Sequence, residues 1–154
     1  MASTISASTL TVKITESVTL NGSDQGATNT LTISSINEVF KRIVTCTASQ
    51  TTTLLTFNAD VHGAAGAIDL QDAKYIRITN KDDTNALELA VVGAATLYQV
   101  EIAAGESHVL GNPEALMLAE EDTSPSFGTM ANLGSIQVNP GGNAIDVEVF
   151  VASA

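Results

Sequence analysis

The length, composition and charge of the chain indicate one globular domain and argue against several functional classes. At 154 residues the chain has the size of a single domain, and its 44% of hydrophobic residues with no Trp predict an aliphatic core. The net charge of -11 argues against nucleic-acid binding, because a surface that binds phosphates needs cations. No apolar run approaches the roughly 20 residues of a membrane span, and the N-terminus lacks the basic start and apolar segment of a signal peptide. We therefore expect synthesis in a cytoplasm and no contact with membrane.

Residues 1–8 are predicted to be a flexible arm, and the first strand is predicted from Thr9 to Leu20. In that stretch Leu10, Val12 and Ile14 alternate with polar residues, which is the period of a half-buried strand. Asn21-Gly22 predicts a tight turn, because both residues tolerate a positive φ. A second strand is predicted at Leu31–Ile36, after a polar loop.

The middle of the chain reads as a series of strands joined by turns. Val39–Thr47 also fits a helical spacing, but its Val, Ile and Thr content favours a strand, and Thr52–Phe57 is a further strand. An irregular connection at Val61–Ala67 follows. The next four strands are predicted to form two pairs, Lys74–Thr79 with Ala86–Val92 as a β-hairpin, and Leu97–Ile102 with Ser107–Leu110.

The segment 112–120 has two interpretations. Asn112 as N-cap and Pro113 at the first helical position would begin a short helix, whereas Leu116–Ala119 would form a strand. The last strands are predicted at Gly134–Val138 and Ala144–Ala152, around an Asn139-Pro140-Gly141-Gly142 turn. Strands at this spacing predict an all-β fold, an antiparallel β-sandwich or jelly roll that forms a single domain over residues 9–154.

The candidate residues for chemistry do not form a recognisable catalytic motif. His62 lies in a predicted loop and His108 near the start of a strand, and neither has a nucleophile or orienting group at a characteristic spacing. Cys46 lies in an apolar, β-branched run and is predicted to be a buried structural thiol. We therefore assign no catalytic residue and expect a protein that is not an enzyme.

Two acidic runs are the candidates for a metal site. Asp82-Asp83 and Glu120-Glu121-Asp122 supply hard oxygen ligands in turns, but neither has the spacing of a calcium loop. Solvated acidic turns are the favoured interpretation. The sequence predicts no metal and no cofactor.

The hairpin region and the residues after it resemble small structural proteins encoded by tailed bacteriophages, especially marine ones. The resemblance covers roughly residues 60–154. It is carried by Lys74-Tyr75-Ile76-Arg77-Ile78-Thr79-Asn80, Asp83-Thr84-Asn85, Ala104-Gly105-Glu106-Ser107 and Asp146-Val147-Glu148-Val149-Phe150-Val151-Ala152. It implies a non-enzymatic virion component, made in the host cytoplasm and present in many copies.

The first expectation from this resemblance is a capsid decoration or cement protein that binds the major capsid protein or another virion protein. A tail, tail-tip or head-tail joining protein is the alternative in the same class, and a carbohydrate- or receptor-binding β-sandwich is the alternative in another. We also expect self-association, because Thr-rich strands with few charges leave sheet edges poorly protected.

Overall fold

A computed structural model describes residues 4–59, 66–94, 96–118 and 127–154. Across these ranges the chain is all-β, as predicted, and none of the described residues forms a helix that could span a membrane. The strands are β1 (Ser8–Thr15), β2 (Thr19–Leu20), β3 (Ser23–Asp24), β4 (Thr28–Ile36), β5 (Glu38–Cys46), β6 (Thr52–Asn58), β7 (Ile68–Asp69), β8 (Ala73–Asn80), β9 (Leu87–Gly93), β10 (Leu97–Ile102), β11 (Ser107–Leu110), β12 (Leu133–Asn139) and β13 (Ile145–Ser153).

Two sheets form the body of the molecule. The four-stranded sheet has the order β11-β8-β13-β5, and the five-stranded sheet has the order β10-β9-β12-β6-β7. All neighbours in them pair antiparallel except the short β7, which runs parallel to β6. The predicted antiparallel β-sandwich is therefore confirmed.

The two sheets are connected by two long, bent ribbons. β8 pairs with β11 in one sheet, and their continuations β9 and β10 pair with each other in the other sheet. In the same way β5 pairs with β13, and their continuations β6 and β12 pair across the sandwich. Eight strands arranged as two such ribbons make a jelly roll, the form of sandwich that the strand spacing suggested.

Both predicted strand pairs in the middle of the chain were wrong. The strands themselves lie where the sequence placed them, but β8 and β9 belong to different sheets, as do β10 and β11. The tight hairpin of this region is β9–β10 instead, closed by the hydrogen bond from the amide of Gly93 to the carbonyl of Thr96. The polar segments at 81–86 and 103–106 are thus crossings between sheets and not hairpin loops.

Asn80 holds these two crossings together. Its side chain is fully buried, and its Nδ2 donates to the carbonyl oxygens of Asn85 at 2.8 Å and Ile102 at 3.1 Å. Its Oδ1 accepts from the amide of Asp82 at 3.0 Å, and its own amide donates to the carbonyl of Glu106 at 3.0 Å. A buried amide with its donors and acceptor all paired fixes the bend of the ribbon at this point.

The core between the sheets is aliphatic, as the composition predicted. The last strand shows the pattern clearly, since Ile145, Val147 and Val149 are buried while Asp146 is exposed. Complete burial of a Val, Leu or Ile side chain contributes roughly 1.5–3 kcal/mol, so these inward-facing residues dominate the stability of the sandwich.

Neither interpretation of segment 112–120 holds over its described part, residues 112–118. The Asn112 side chain accepts from the amide of Glu114 at 3.1 Å, as in a helix cap, but Ala115 has a φ of 56°. A positive φ at the next residue stops a helix before its first turn is complete. The predicted strand is also absent from residues 112–118, where Met117 makes only an isolated β-bridge to Ala131. Residues 119–120 lie outside the described ranges.

Residues 4–36 do not add strands to the sandwich. β1 and β4 pair with each other in a separate two-stranded sheet, and β2 and β3 form a short hairpin around Asn21 and Gly22, whose φ values of 49° and 79° confirm the predicted turn. We call residues 8–36 the N-terminal ribbon. The predicted strand at 9–20 is thus divided in two, and of the predicted arm residues 4–7 lack regular structure whereas Ser8 already belongs to β1.

Candidate interaction surface

The base of the N-terminal ribbon packs on the outer face of the four-stranded sheet. There Tyr75 and Ala152 alternate with the core residues of β8 and β13 and are buried together with Ile36. The partly buried residues that pack around them are Leu10, Val12, Ile33, Phe150 and Ala154. The rings of Tyr75 and Phe150 meet edge to face, with centroids 6.1 Å apart. The ribbon therefore covers part of this face with a second, smaller apolar cluster.

Towards its tip the ribbon leaves an apolar stripe uncovered. Leu31 lies directly opposite Val12, on the same face as the packed Leu10, yet its side chain is 53% exposed. Ile14, one step further along this face of β1, is also exposed. The sequence predicted Leu10, Val12 and Ile14 as one half-buried face. The structure buries only the end that reaches the sheet.

A second apolar area lies beside the ribbon base, on the outer face of β5. Val39 and Ile43 lie opposite Ala152 and Glu148 of β13, and their side chains are 54% and 57% exposed. A cavity of about 150 Å³ separates this area from the ribbon, lined by Ser8, Thr9, Leu10, Ile36, Val39, Phe150 and Ala152. The sequence did not single out Val39 or Ile43, since a run of β-branched residues does not tell which face is covered.

The charges are divided between the two sides of the sandwich. All six Lys and Arg residues lie on the side of the ribbon and the four-stranded sheet. They are Lys13 in the ribbon, Lys41 and Arg42 in β5, Lys74 and Arg77 in β8, and Lys81 directly after β8. The strands of the five-stranded sheet contain Asp69, Glu88 and Glu101 and no basic residue. The side that bears the ribbon is therefore the less acidic side of the molecule.

Glu148 organises two of these cations on the outer face of the four-stranded sheet. Its carboxylate accepts from the Arg77 guanidinium at 2.6 Å and lies 3.5 Å from the Lys41 ammonium. The hydrogen bond from Arg77 is the main reason why the pKa of Glu148 is lowered. The Arg77 guanidinium also lies 5.9 Å from the centre of the Phe150 ring, so it links the ion pair to the apolar cluster.

The residues considered for catalysis do not come together in the described part of the chain. His62 lies outside the described residues. His108 is half-buried on β11, with Nε2 3.4 Å from the Tyr98 hydroxyl, and burial lowers its pKa. Cys46 is completely buried, as predicted, and burial raises the pKa of its thiol. A buried neutral thiol and a half-buried neutral imidazole on different strands do not form a nucleophile and base.

The acidic run Asp82-Asp83 is part of a turn. Asp82 Oδ1 accepts from the amides of Asn85 at 2.7 Å and Thr84 at 2.8 Å, and these hydrogen bonds lower the pKa of Asp82. That oxygen is therefore used by the loop itself. Among the described residues no three His, Cys, Asp or Glu side chains are placed to hold a metal ion, and Glu120-Glu121-Asp122 lies outside those residues.

A shallow cleft lies on the outer face of the five-stranded sheet. Its volume is about 180 Å³, and it is lined by Thr51, Glu88, Leu89, Ala90, Val92, Leu97, Gln99, Gln137, Val138 and Asn139. Amide and carboxylate groups of this kind can hydrogen-bond to sugar hydroxyls, but the lining contains no aromatic ring on which a sugar could stack.

Comparisons with known proteins give little on which to base a function. No protein-family model matches the chain, and no curated protein is significantly similar to it. One solved structure, of Bacillus endospore appendages described as a novel family of disulfide-linked pili, is similar with a TM-score of 0.43 and 10% sequence identity. The match covers 99% of this chain and 92% of that chain. A likeness at this level supports no inference about function.

Proposed function

We propose that this chain is a non-enzymatic structural protein of a bacteriophage virion, which decorates the head by binding the major capsid protein. The resemblance of residues 60–154 to phage structural proteins is the basis for the virion assignment. The observation that supports a binding role is the uncovered apolar area formed by Val39 and Ile43 beside the base of the ribbon. Exposed apolar areas next to a polar surround are typical of sites where another protein binds.

The contact surface that we propose is the outer face of β5. It combines Val39 and Ile43 with the Lys41 and Glu148 ion pair and lies on the less acidic side of the molecule. A flat sheet face with apolar side chains between a few charges suits a surface that lies on a shell and needs no deep pocket. A tail, tail-tip or head-tail joining role would use the same surface against a different partner.

The test is to mix the purified protein with phage particles that lack it and to image where it binds. Regular density over the head is the expected result, density confined to the tail or vertex would move the protein to the alternative role, and no binding would refute the virion assignment. The double variant Val39→Ser/Ile43→Ser should lose occupancy, whereas Leu97→Ser is a matched control. Leu97 is 54% exposed but lies on the opposite sheet.

The polar cleft on the five-stranded sheet is the specific observation that favours a carbohydrate-binding module as a second candidate. Its amide side chains, Gln99 and Gln137, would provide the contacts to the sugar. Binding of the isolated protein to a glycan array, abolished by Gln99→Ala with Gln137→Ala, would support this function. Binding to particles that survives the same two changes would contradict it.

A further inference from the structure

We propose that two copies of this chain associate by pairing β4 with β4 in antiparallel orientation. The product would be an intermolecular four-stranded sheet in which two N-terminal ribbons lie side by side, related by a two-fold axis through Leu31. This association does not depend on the virion role, because it concerns the purified protein alone.

The first observation is an unpaired edge. Within the described ranges β4 has β1 as its only strand neighbour, so the amides and carbonyls on its other edge are not part of a ladder. Along the nine residues of β4 only Ile33 and Ile36 are covered, and the side chains of the others are exposed. A long, accessible edge of this kind is a template for one more strand.

The second observation is that this edge lacks the devices that usually protect one. β4 contains no charged residue and no Pro, whereas the edge strand β5 carries Lys41 and Arg42 and the edge strand β10 carries Glu101. β11 and β7 are only four and two residues long. Charged side chains and short length keep those other edges from pairing, and β4 has neither.

The third observation is that β4 is complementary to itself. With the two-fold axis at Leu31, Thr30 faces Thr32 of the second copy, Asn29 faces Ile33, and Thr28 faces Ser34. Threonine pairs across strands are favourable, and no like charges meet. A two-fold interface requires such a self-complementary patch.

The bulge at the base of β4 limits the pairing to this stretch. Ser35 has a φ of 65°, and the register with β1 shifts between Ser8 and Leu10, so the strand bends where it approaches the sandwich. Residues 28–34 remain as the regular part of the edge.

The exposed side chain of Leu31 gains a partner in this arrangement. Because Leu31 lies opposite Val12 in its own ribbon, the axis places Val12, Leu31, Leu31 and Val12 in one continuous row across the four strands. The row extends the apolar stripe of each ribbon into that of the other. Leu31 thus changes from an uncovered residue to the centre of the contact.

The charge distribution favours a second copy as the occupant of the edge. The net charge of the chain is -11, but the ribbon contributes only Lys13, Glu16 and Asp24 to it. The ribbon packs on the four-stranded sheet, so pairing through β4 leaves Asp69, Glu88 and Glu101 of the five-stranded sheet on the far side of each sandwich. Two copies can therefore meet at this edge without bringing these carboxylates together.

Sedimentation equilibrium of variants with opposite charges at position 31 tests the proposal. The wild-type protein should dimerise as its concentration rises, and Leu31→Lys and Leu31→Glu should each weaken the dimer by about tenfold or more, because like charges would face each other at the axis. An equimolar mixture of the two variants should restore a dimer that contains one of each, and this also shows that both variants are folded. Val109→Lys, which places a charge at a similarly exposed position on β11, should dimerise like the wild type.

Cross-linking tests the position of the axis. Leu31→Cys should form a disulfide between copies under mild oxidation, while Val109→Cys should not, and the native Cys46 does not interfere because it is completely buried. A wild-type protein that stays monomeric at about 100 µM, where a dimer with a dissociation constant of about 1 µM would be almost completely formed, would overturn the proposal. So would a Leu31→Lys variant that dimerises normally, or a mixture of the charged variants that does no better than either alone.

Discussion

Replacing Asn80 with Ala tests whether this residue fixes the bend between the two sheets. The change removes three side-chain hydrogen bonds, each with a net value of about 1 kcal/mol, and leaves the buried carbonyl of Ile102 without its donor, which costs about 1–3 kcal/mol more. We expect a loss of about 4–6 kcal/mol in the free energy of unfolding. This is a large part of the roughly 5–15 kcal/mol that stabilises a domain of this kind.

The measurement is urea and thermal unfolding followed by circular dichroism. For a chain of this length a loss of about 4–6 kcal/mol should lower Tm by roughly 8–24 °C. Asn143→Ala is the matched control, since Asn143 is exposed and makes one side-chain hydrogen bond, to Asn85 Oδ1 at 3.0 Å. That variant should lose less than about 0.5 kcal/mol.

The variant Asn80→Asp separates the donors from the acceptor. It keeps the oxygen that accepts from the amide of Asp82 but loses both donors and places a carboxylate against two carbonyl oxygens. At neutral pH it should be at least as unstable as Asn80→Ala. If Asn80→Ala were no less stable than Asn143→Ala, the idea that this amide holds the crossing would be refuted.

Three further predictions concern the core, the outer ion pair and the thiol. Ile76→Ala, at a fully buried position, should cost about 3 kcal/mol in urea unfolding, and the same change at the exposed Ile43 should cost less than about 0.5 kcal/mol; equal costs would contradict the assigned core. Because Arg77 lowers the pKa of Glu148, this carboxylate stabilises the fold above the ordinary glutamate pKa of about 4.3, and the contribution is lost as the pH falls through the lowered value. Glu148→Gln should therefore show a smaller decrease in Tm than the wild type between about pH 6 and about pH 3, and parallel curves would argue against the pairing. Cys46 should react with a thiol reagent only after unfolding in urea, so rapid reaction of the native protein would show that this strand opens.

The positions of most strands could be predicted from the sequence, because the alternation of apolar and polar residues in a strand follows from which of its faces is buried. In β13, for example, Ile145 and Val147 alternate with Asp146 and Glu148, and that pattern is set by local contact with the core. The turn at Asn21-Gly22 was equally predictable, since this turn depends only on a positive φ at its two central residues.

The pairing of the strands could not be predicted in the same way. A polar loop such as 81–86 has the same composition whether it reverses the chain within one sheet or carries it to the other sheet. What distinguishes the two is a buried amide that binds across loops, and the contact of Asn80 with the carbonyl of Ile102 involves residues 22 positions apart. A local sequence pattern does not indicate a contact with a residue so far away along the chain.

The exposed part of the candidate surface was even harder to predict from the sequence. The alternation of Leu10, Val12 and Ile14 predicts an apolar face, but not that contact with the sheet stops at Val12. Exposure of the remaining stripe depends on how the ribbon lies against the sandwich, which is a property of the assembled fold.

The central position of β13 also determines when the fold can form during synthesis. β13 lies between β5 and β8, and the hydrogen bond from Thr45 to Asp146 joins residues 101 positions apart. Until residues 145–153 have been made, β5 has no strand neighbour in its sheet and β8 has only β11. Pairing over such distances is slow, and nascent chains with unpaired strands aggregate readily. The interval before β13 emerges from the ribosome is therefore the stage at which this chain is most exposed to aggregation, whatever the stability of the finished fold.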